Sequence, residues 1–197
     1  MNARLHALAW AVAASSLASC ASAPTRPPAP APPPQRPADF FPLEVGNSWT
    51  YLDRSAQHPG TSHHTVRIVR RDADGYFVDD QRGALRADAD CLHDRLRRLL
   101  CAPIEAGATW SSVVSPTVTE RYRIVAVGET VTVPAGTFRG CVRVRSSARV
   151  EGVDQAAELT YAPAVGLVRL ETFAVTGGNP APQVRGELES YRVVGGR

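Results

Sequence analysis

Residues 141–150 read CVRVRSSARV, and the alternation in this stretch indicates the class of fold. In it, Val142 and Val144 alternate with Arg143 and Arg145. A strand places alternate residues on opposite sides, so the two valines share one side and the two arginines share the other. Such alternation is typical of a half-buried strand in an antiparallel sheet with one face on the core.

Other β-rich runs follow through the chain, bounded by turn residues at a spacing of about ten residues. The runs are 49–52, 65–70, 76–78, 121–127, 130–133, 141–150, 157–161, 166–174 and 187–194. Short strands at this spacing predict an antiparallel all-β domain over residues 39–197. A β-sandwich is the alternative to a single sheet.

A short pattern occurs twice and marks two turns. The sequence PLEVGNSW, which contains Gly46 and Trp49, recurs as PIEAGATW, which contains Gly107 and Trp110. Each glycine can adopt the positive φ of a turn, and each tryptophan then begins a strand as a core anchor. We expect both tryptophans to be largely buried. A duplication of two related halves and a coincidence of turn chemistry both explain the repeat.

Three cysteines lie in the predicted domain. Cys91 and Cys101 have a spacing that allows a disulfide across a hairpin, although the window 90–100 is also the only helix-like segment of the sequence. Zinc is the competing interpretation, but there is no Cys-x-x-Cys pair and no histidine at ligand spacing from these cysteines. We predict a Cys91–Cys101 disulfide, a reduced and buried Cys141, and no metal.

The N-terminal segment resembles that of bacterial lipoproteins. An apolar run follows Arg4 and ends in Leu-Ala-Ser-Cys at residues 17–20, which is similar to a lipobox. The run is shorter than the roughly 20 apolar residues that span a bilayer, and it suits a cleaved secretory signal. The resemblance implies that residues 1–19 are removed and that Cys20 carries diacylglycerol in a thioether linkage. An ordinary signal peptide cleaved at residues 21–23 (Ala-Ser-Ala) is the alternative.

A proline-rich segment follows the lipobox. Residues 24–37 read PTRPPAPAPPPQRP, which favours extended polyproline II structure and suits a spacer. We therefore expect residues 20–38 to be the lipidated N-terminus and linker of a membrane-anchored protein. Because Ala21 rather than aspartate follows the cysteine, the resemblance implies the outer membrane, with the domain facing the periplasm.

Three further motifs resemble a set found in uncharacterised bacterial lipoproteins and secreted proteins. They are PLxxGxxW at residues 42–49, VPAGTF at residues 133–138 and YAPxVGLV at residues 161–168. Together they cover most of residues 40–173. The resemblance implies a single, strongly curved antiparallel sheet, distantly similar to the half-barrel of the periplasmic lipoprotein carriers, and it implies no function.

The composition and motifs exclude several kinds of catalytic site. All 22 lysine-or-arginine positions are arginine, which excludes a Schiff-base lysine, a phosphate-loop lysine and a serine–lysine dyad. No Gly-x-Ser-x-Gly elbow is present. His58, His63 and His64 are predicted to lie in a loop without a nearby carboxylate, so a metal is not expected there. We therefore expect no catalytic residue, metal or cofactor.

Two classes of function are compatible with this sequence. One is a non-catalytic binding or structural module of the cell envelope, with a protein partner. The other is a carrier that holds an acyl chain or another apolar ligand in the concave sheet. An open apolar cavity would favour the carrier, whereas a filled interior would favour the module. Because the arginines are interspersed with acidic residues, we expect no nucleic-acid partner.

Overall fold

The computed structural model describes residues 36–194, most of which belong to one antiparallel sheet. A short 3-10 turn at Pro37–Asp39 precedes the strands. The first six strands are β1 (Ser48–Ser55), β2 (Thr61–Arg71), β3 (Phe77–Asp79), β4 (Ala84–Ala87), β5 (Cys91–His93) and β6 (Arg98–Cys101). The last six are β7 (Thr109–Ser115), β8 (Val118–Val133), β9 (Gly136–Val150), β10 (Val153–Ala162), β11 (Gly166–Thr176) and β12 (Asn179–Arg192). The predicted all-β fold is confirmed.

The strands follow one another around the sheet in chain order. Each pairs with its neighbours in sequence, and β1 pairs with β12, whereas no ladder joins β6 to β7 in the described residues. The sheet is therefore nearly closed into a barrel and stays open between β6 and β7. This confirms the strongly curved single sheet rather than the β-sandwich.

The curvature gives the sheet an inner and an outer face, between which successive residues alternate. On β9, Val142 and Val144 are fully buried, as is their neighbour Tyr161 across the ladder to β10. These side chains define the inner face. Arg143 and Arg145 lie on the outer face, where they form ion pairs with Glu158 of β10.

Aromatic and aliphatic side chains fill the inner face at the end of the sheet where β1 begins. The large, fully buried side chains include Trp49, Tyr161, Phe40, Leu92, Leu100, Ile124 and Leu188. The segment before β1 supplies Phe40 and Phe41, and the Phe41 ring lies 5.0 Å from the Trp49 ring. The N–H of Ala164 donates to the carbonyl of Asp39 (2.8 Å). The segment before β1 is thus fixed against the turn that joins β10 to β11.

The helix-like window 90–100 forms the β5–β6 hairpin. Its turn is organised by Asp94, whose Oδ1 accepts the N–H groups of Leu96 (2.7 Å) and Arg97 (2.5 Å). Aspartate side chains that accept nearby N–H groups in this way stabilise turns at the expense of helix.

Within residues 36–194, no helix is long and apolar enough to cross a membrane.

The two sets of six strands differ in length. The strands β3 to β6 have three or four residues each, whereas β8 to β12 have 10 to 16. Only residues 68–71 of β2 pair with β3. The long strands therefore extend beyond the short strands at the end of the sheet that contains the turns at 151–152 and 177–178. We call this end the distal end of the sheet.

Candidate functional site

The two glycine turns predicted from the repeat have the same geometry. Gly46 and Gly107 both have φ of 96°. The Gly46 N–H donates to the carbonyl of Ile68 (2.9 Å), and the Gly107 N–H donates to the carbonyl of Ile124 (2.8 Å). Each turn leads into the first strand of a set of six, β1 or β7. The repeat in the sequence is therefore also a repeat in structure.

The two tryptophans that follow these turns differ in burial. Trp49 is 1% exposed, and its indole N–H donates to the carbonyl of Val165 (2.6 Å). Trp110 is partly buried and packs against the core, so it is less enclosed than Trp49. The reason is its position on β7, an edge strand with no ladder on its other side. It stacks on Tyr122 with a ring separation of 5.5 Å.

Side chains join β6 and β7 where the ladder is missing. The indole N–H of Trp110 donates to the carbonyl of Arg98 (2.6 Å), and the N–H of Arg98 donates to the hydroxyl of Ser112 (3.0 Å). Nearby, the Arg97 guanidinium pairs with Glu120 of β8 (3.0 Å). We call this set of contacts the seam. It brings the two edges of the sheet together through side chains rather than through main-chain pairing.

The three cysteines of the domain lie on β5, β6 and β9. The structure contains a disulfide between Cys91 and Cys101, which are directly opposite each other in the β5–β6 ladder. Cys141 is a free thiol and is fully buried. Burial raises the pKa of this thiol, and the nearby Glu129 carboxylate adds to the shift. A thiol with a raised pKa in an inaccessible position is unreactive, which suits a packing role.

The predicted lipidation site, Cys20, lies outside the described residues. The same holds for the signal segment 1–19 and for the linker up to residue 35.

Of the three histidines predicted to lie in a loop, His58 lies in the connection between β1 and β2 as predicted, whereas His63 and His64 do not. His63 and His64 are in strand β2 rather than in a loop, and each contacts a carboxylate. The Nδ1 of His64 lies 2.5 Å from an oxygen of Asp53, and that of His63 lies 2.8 Å from Glu189. These carboxylates come from β1, which pairs with β2, and from β12, which lies on the other side of β1, so the sequence alone does not show these contacts. Residues 36–194 contain no cluster of three or more residues that could hold a metal ion.

The His64–Asp53 pair is one of three histidine–carboxylate pairs in the described residues, with His63–Glu189 and His93–Asp88. The His64 ring stacks on Tyr51 at 5.2 Å. Burial raises the pKa of the Tyr51 hydroxyl, which donates to the carbonyl of Leu167 (3.0 Å). In the described part of the chain no hydroxyl or thiol hydrogen-bonds to the His64 ring. The pair therefore lacks the nucleophile that an activated histidine would serve.

An open groove of about 420 Å³ lies at the distal end of the sheet. Small and polar residues of the inner face line it: Ser146, Ala148, Gln155, Ala157, Thr172 and Ala174. These are the positions where β9, β10 and β11 continue past the aromatic core. We call this cavity the inner groove.

The outer face of β11, β12 and β1 carries an ion-pair cluster around Glu187. This carboxylate contacts Arg54 (2.9 Å), Arg169 (3.1 Å) and Arg185 (2.8 Å). Burial alone would raise the pKa of Glu187. The hydrogen bond and charge of Arg185, the charge of Arg169 and the hydrogen bond from Arg54 together hold the pKa below its ordinary value. Charge pairing therefore stabilises the centre of the sheet on its outer side.

The outer face of β8 and β9 carries arginines that line a groove rather than surround a carboxylate. Arg121, Arg123 and Arg145 line a second groove of about 660 Å³. We call these three residues the arginine face. The sequence alone does not show this face, because Arg145 is remote in the chain from the other two arginines. The signal that could have found it is the alternation of Arg121 and Arg123 with buried residues on one strand.

Comparisons with known proteins place the chain near two solved structures. No protein-family model matches the sequence, and no curated protein matches it. A crystal structure of a protein described as exported, with a YmcC-like fold, from Bacteroides fragilis NCTC 9343 has a TM-score of 0.48 and 15% identity. The match covers 78% of this chain and 99% of that chain.

A second crystal structure is of a protein described as a lipoprotein, from Parabacteroides distasonis ATCC 8503. It has a TM-score of 0.43 and 15% identity, over 78% of this chain and 98% of that chain. Likeness at this level carries no inference about function.

Proposed function

We propose that this chain is a lipid-anchored protein of the cell envelope whose sheet is a non-catalytic binding or structural module. The observation that carries the proposal is the filled interior. Trp49, Tyr161 and Phe40 each have less than 2% of their surface exposed, and Phe41 packs on Trp49. Carriers of apolar molecules hold them in concave, mostly apolar cavities, and here aromatic side chains occupy that space.

The anchor is proposed from the sequence around Cys20. Diacylglycerol and a further acyl chain at one terminus give stable membrane attachment, whereas a single chain does not. Residues 20–35 would hold the sheet away from the membrane, at about 3.1 Å per residue where they are polyproline II. The predicted linker 20–38 is shortened because Pro37 is buried and belongs to the 3-10 turn before β1. Ala21 after the cysteine supports placement in the outer membrane, facing the periplasm, where a protein partner of the envelope would be met.

A substitution at Cys20 tests the anchor. Cys20→Ser should leave the chain unprocessed or release it from the membrane fraction, because no thiol is available for the thioether bond. Cys141→Ser is the matched control, since that cysteine is buried and should have no role in anchoring. Density-gradient separation of inner and outer membranes then tests the sorting. If Cys20→Ser has unchanged size and membrane association, the anchor is disproved.

The inner groove favours a second candidate, a carrier of an apolar ligand. It is open, and Ala148, Ala157 and Ala174 give it an apolar part. Native mass spectrometry of the purified full chain separates the two candidates. For the module we expect only the mass of the covalent lipid. For the carrier, an additional non-covalent lipid should be present in the wild type and absent in Ala157→Leu, which narrows the groove.

A further inference from the structure

The arginine face brings like charges together on neighbouring strands. Arg123 of β8 is directly opposite Arg145 of β9, and Arg121 lies two residues along the same face. Side chains directly opposite each other on antiparallel strands have Cβ atoms about 4.5–5.5 Å apart, and like charges at that separation are destabilising. The register therefore places three arginines at neighbouring positions on one face, where their side chains border the same groove.

Neighbouring acidic residues leave most of this charge unmatched. Arg145 contacts Glu158 at 3.3 Å, but that carboxylate is shared with Arg143, which it contacts at 3.0 Å. Within residues 36–194, no carboxylate lies within ion-pair distance of Arg121 or Arg123. By contrast, Arg143 has a carboxylate on each side, because it also pairs with Glu129 (3.0 Å).

Neutral hydrogen-bonding groups line the same groove. Thr109 and Ser111 of β7 are directly opposite Arg123 and Arg121, so they lie on the same side of the sheet. Ser147 of β9 is opposite Arg121 on the other side. In the described part of the structure, none of these three hydroxyl groups takes part in a hydrogen bond. The groove is thus concave, positively charged and lined by free donors.

We propose that the arginine face binds a phosphate monoester. Guanidinium groups bind phosphate oxygens through two parallel N–H donors, and a monoester presents three such oxygens to three arginines. A carboxylate, with two oxygens, would leave one arginine unmatched. The phosphate can be free in solution or part of a lipid headgroup such as that of phosphatidic acid. This inference goes beyond the proposed function and does not depend on the lipid anchor.

Titration of the full chain in a non-ionic detergent with inorganic phosphate tests the site. We expect Arg121→Gln/Arg123→Gln to weaken binding by at least about tenfold, because it removes two charge-assisted contacts. Arg70→Gln/Arg192→Gln is the matched control. Both control arginines are exposed, have no carboxylate partner in the described residues, and lie on β2 and β12. The control should change the Kd by less than about twofold, in line with non-specific charge effects.

A second variant separates charge from geometry. Arg121→Lys/Arg123→Lys keeps the charge and loses the two-donor fork, so its affinity should fall between those of the wild type and the glutamine variant. A comparison of two short-chain lipids, phosphatidic acid and phosphatidylcholine, at equal concentration in the same detergent shows whether the ligand is a lipid headgroup or a free phosphate. Tighter binding of phosphatidic acid than of inorganic phosphate assigns a lipid headgroup, and equal or weaker binding assigns a free phosphate.

Two results would overturn the proposal. One is the absence of phosphate binding by the wild type. The other is an equal loss of affinity in the control and in the glutamine variant, because it would show that net charge alone attracts the anion.

Discussion

The indole N–H of Trp110 donates to the main-chain carbonyl of Arg98 over 2.6 Å, across the gap between β6 and β7, where residues 36–194 form no ladder. This contact couples the first strand of the second set of six to the last strand of the first set. Trp49, its counterpart in the repeat, lies on a strand that is paired on both sides and donates to the carbonyl of Val165 in the turn between β10 and β11. The same local motif thus gives one tryptophan that is buried in the core and one that joins the two edges of the sheet.

The difference in burial between the two tryptophans predicts a difference in stability. Trp49→Ala should lower the free energy of unfolding by about 3–5 kcal/mol, as expected for a buried large aromatic residue. Trp110→Ala should lower it by about 1–3 kcal/mol, because part of its indole already faces water. Urea unfolding followed by circular dichroism measures both values. Equal losses would contradict the partial burial of Trp110.

The seam predicts a local effect of removing one hydrogen bond. Trp110→Phe keeps an aromatic ring but removes the donor to Arg98. We expect hydrogen exchange of the Arg98 amide, which donates to Ser112, to become faster because the two edges separate more often. Trp49→Phe is the control and should leave this amide's exchange unchanged relative to global stability. An unchanged Arg98 amide in Trp110→Phe would show that the seam contributes no local stability.

The identical geometry of the glycine turns predicts matched costs of substitution. Gly46→Ala and Gly107→Ala should each destabilise the protein by about 1–2 kcal/mol, since a side chain is disfavoured at positive φ. An added Cβ at Gly107 would meet no atom within 4 Å, and one at Gly46 would meet only Val194, at 3.4 Å. Strain in the backbone therefore dominates both values. Thermal or urea unfolding that shows a loss at only one position would mean that the two turns are not equivalent.

The cysteines are tested by peptide mapping and labelling. Mapping without reductant should recover a Cys91–Cys101 linkage, and Cys91→Ser/Cys101→Ser should lower the free energy of unfolding by about 2–3 kcal/mol. Cys141 should react with a maleimide only after unfolding, because it is buried and its pKa is raised. A dominant linkage from Cys141 to either of the other cysteines would contradict this pairing.

The carboxylate of Glu187 predicts a pH dependence of stability. Its pKa is lowered in the folded state, so its contribution is fully present above the ordinary glutamate pKa of about 4.3 and is lost as the pH falls through the lower folded value. Glu187→Gln should therefore destabilise the protein at pH 7 by roughly 1–3 kcal/mol. The difference from the wild type should shrink below about pH 4.

Glu171→Gln is the control for this prediction, because Glu171 has one ion pair at 3.6 Å and is more exposed than Glu187. Its effect at pH 7 should be within about 0.5 kcal/mol. A difference between Glu187→Gln and the wild type that does not change between pH 7 and pH 3 would show that packing, rather than charge, is responsible.

Local chemistry made much of the fold predictable. The alternation at residues 141–145 indicates a strand with one buried side, and Val142 and Val144 are indeed fully buried. Prediction is less accurate where one local signal fits two structures, as a glycine fits both a turn and an irregularity within a strand. Residues 121–127 and 130–133 were predicted as two strands, yet they form the single strand β8. Between them, Gly128 has φ of 81° and lies in an irregular part of the ladder rather than in a turn.

Pattern and turn chemistry were enough to determine strands, glycine turns and the class of fold, because each depends on residues close together in the chain. Which residues face one another across a ladder depends instead on the tertiary structure. Register placed Arg145 opposite Arg123 and brought Asp53 to His64, and the missing ladder between β6 and β7 left Trp110 half-buried. These outcomes depend on which strands become neighbours when the sheet curves, and residues distant in sequence set that choice through the shared core.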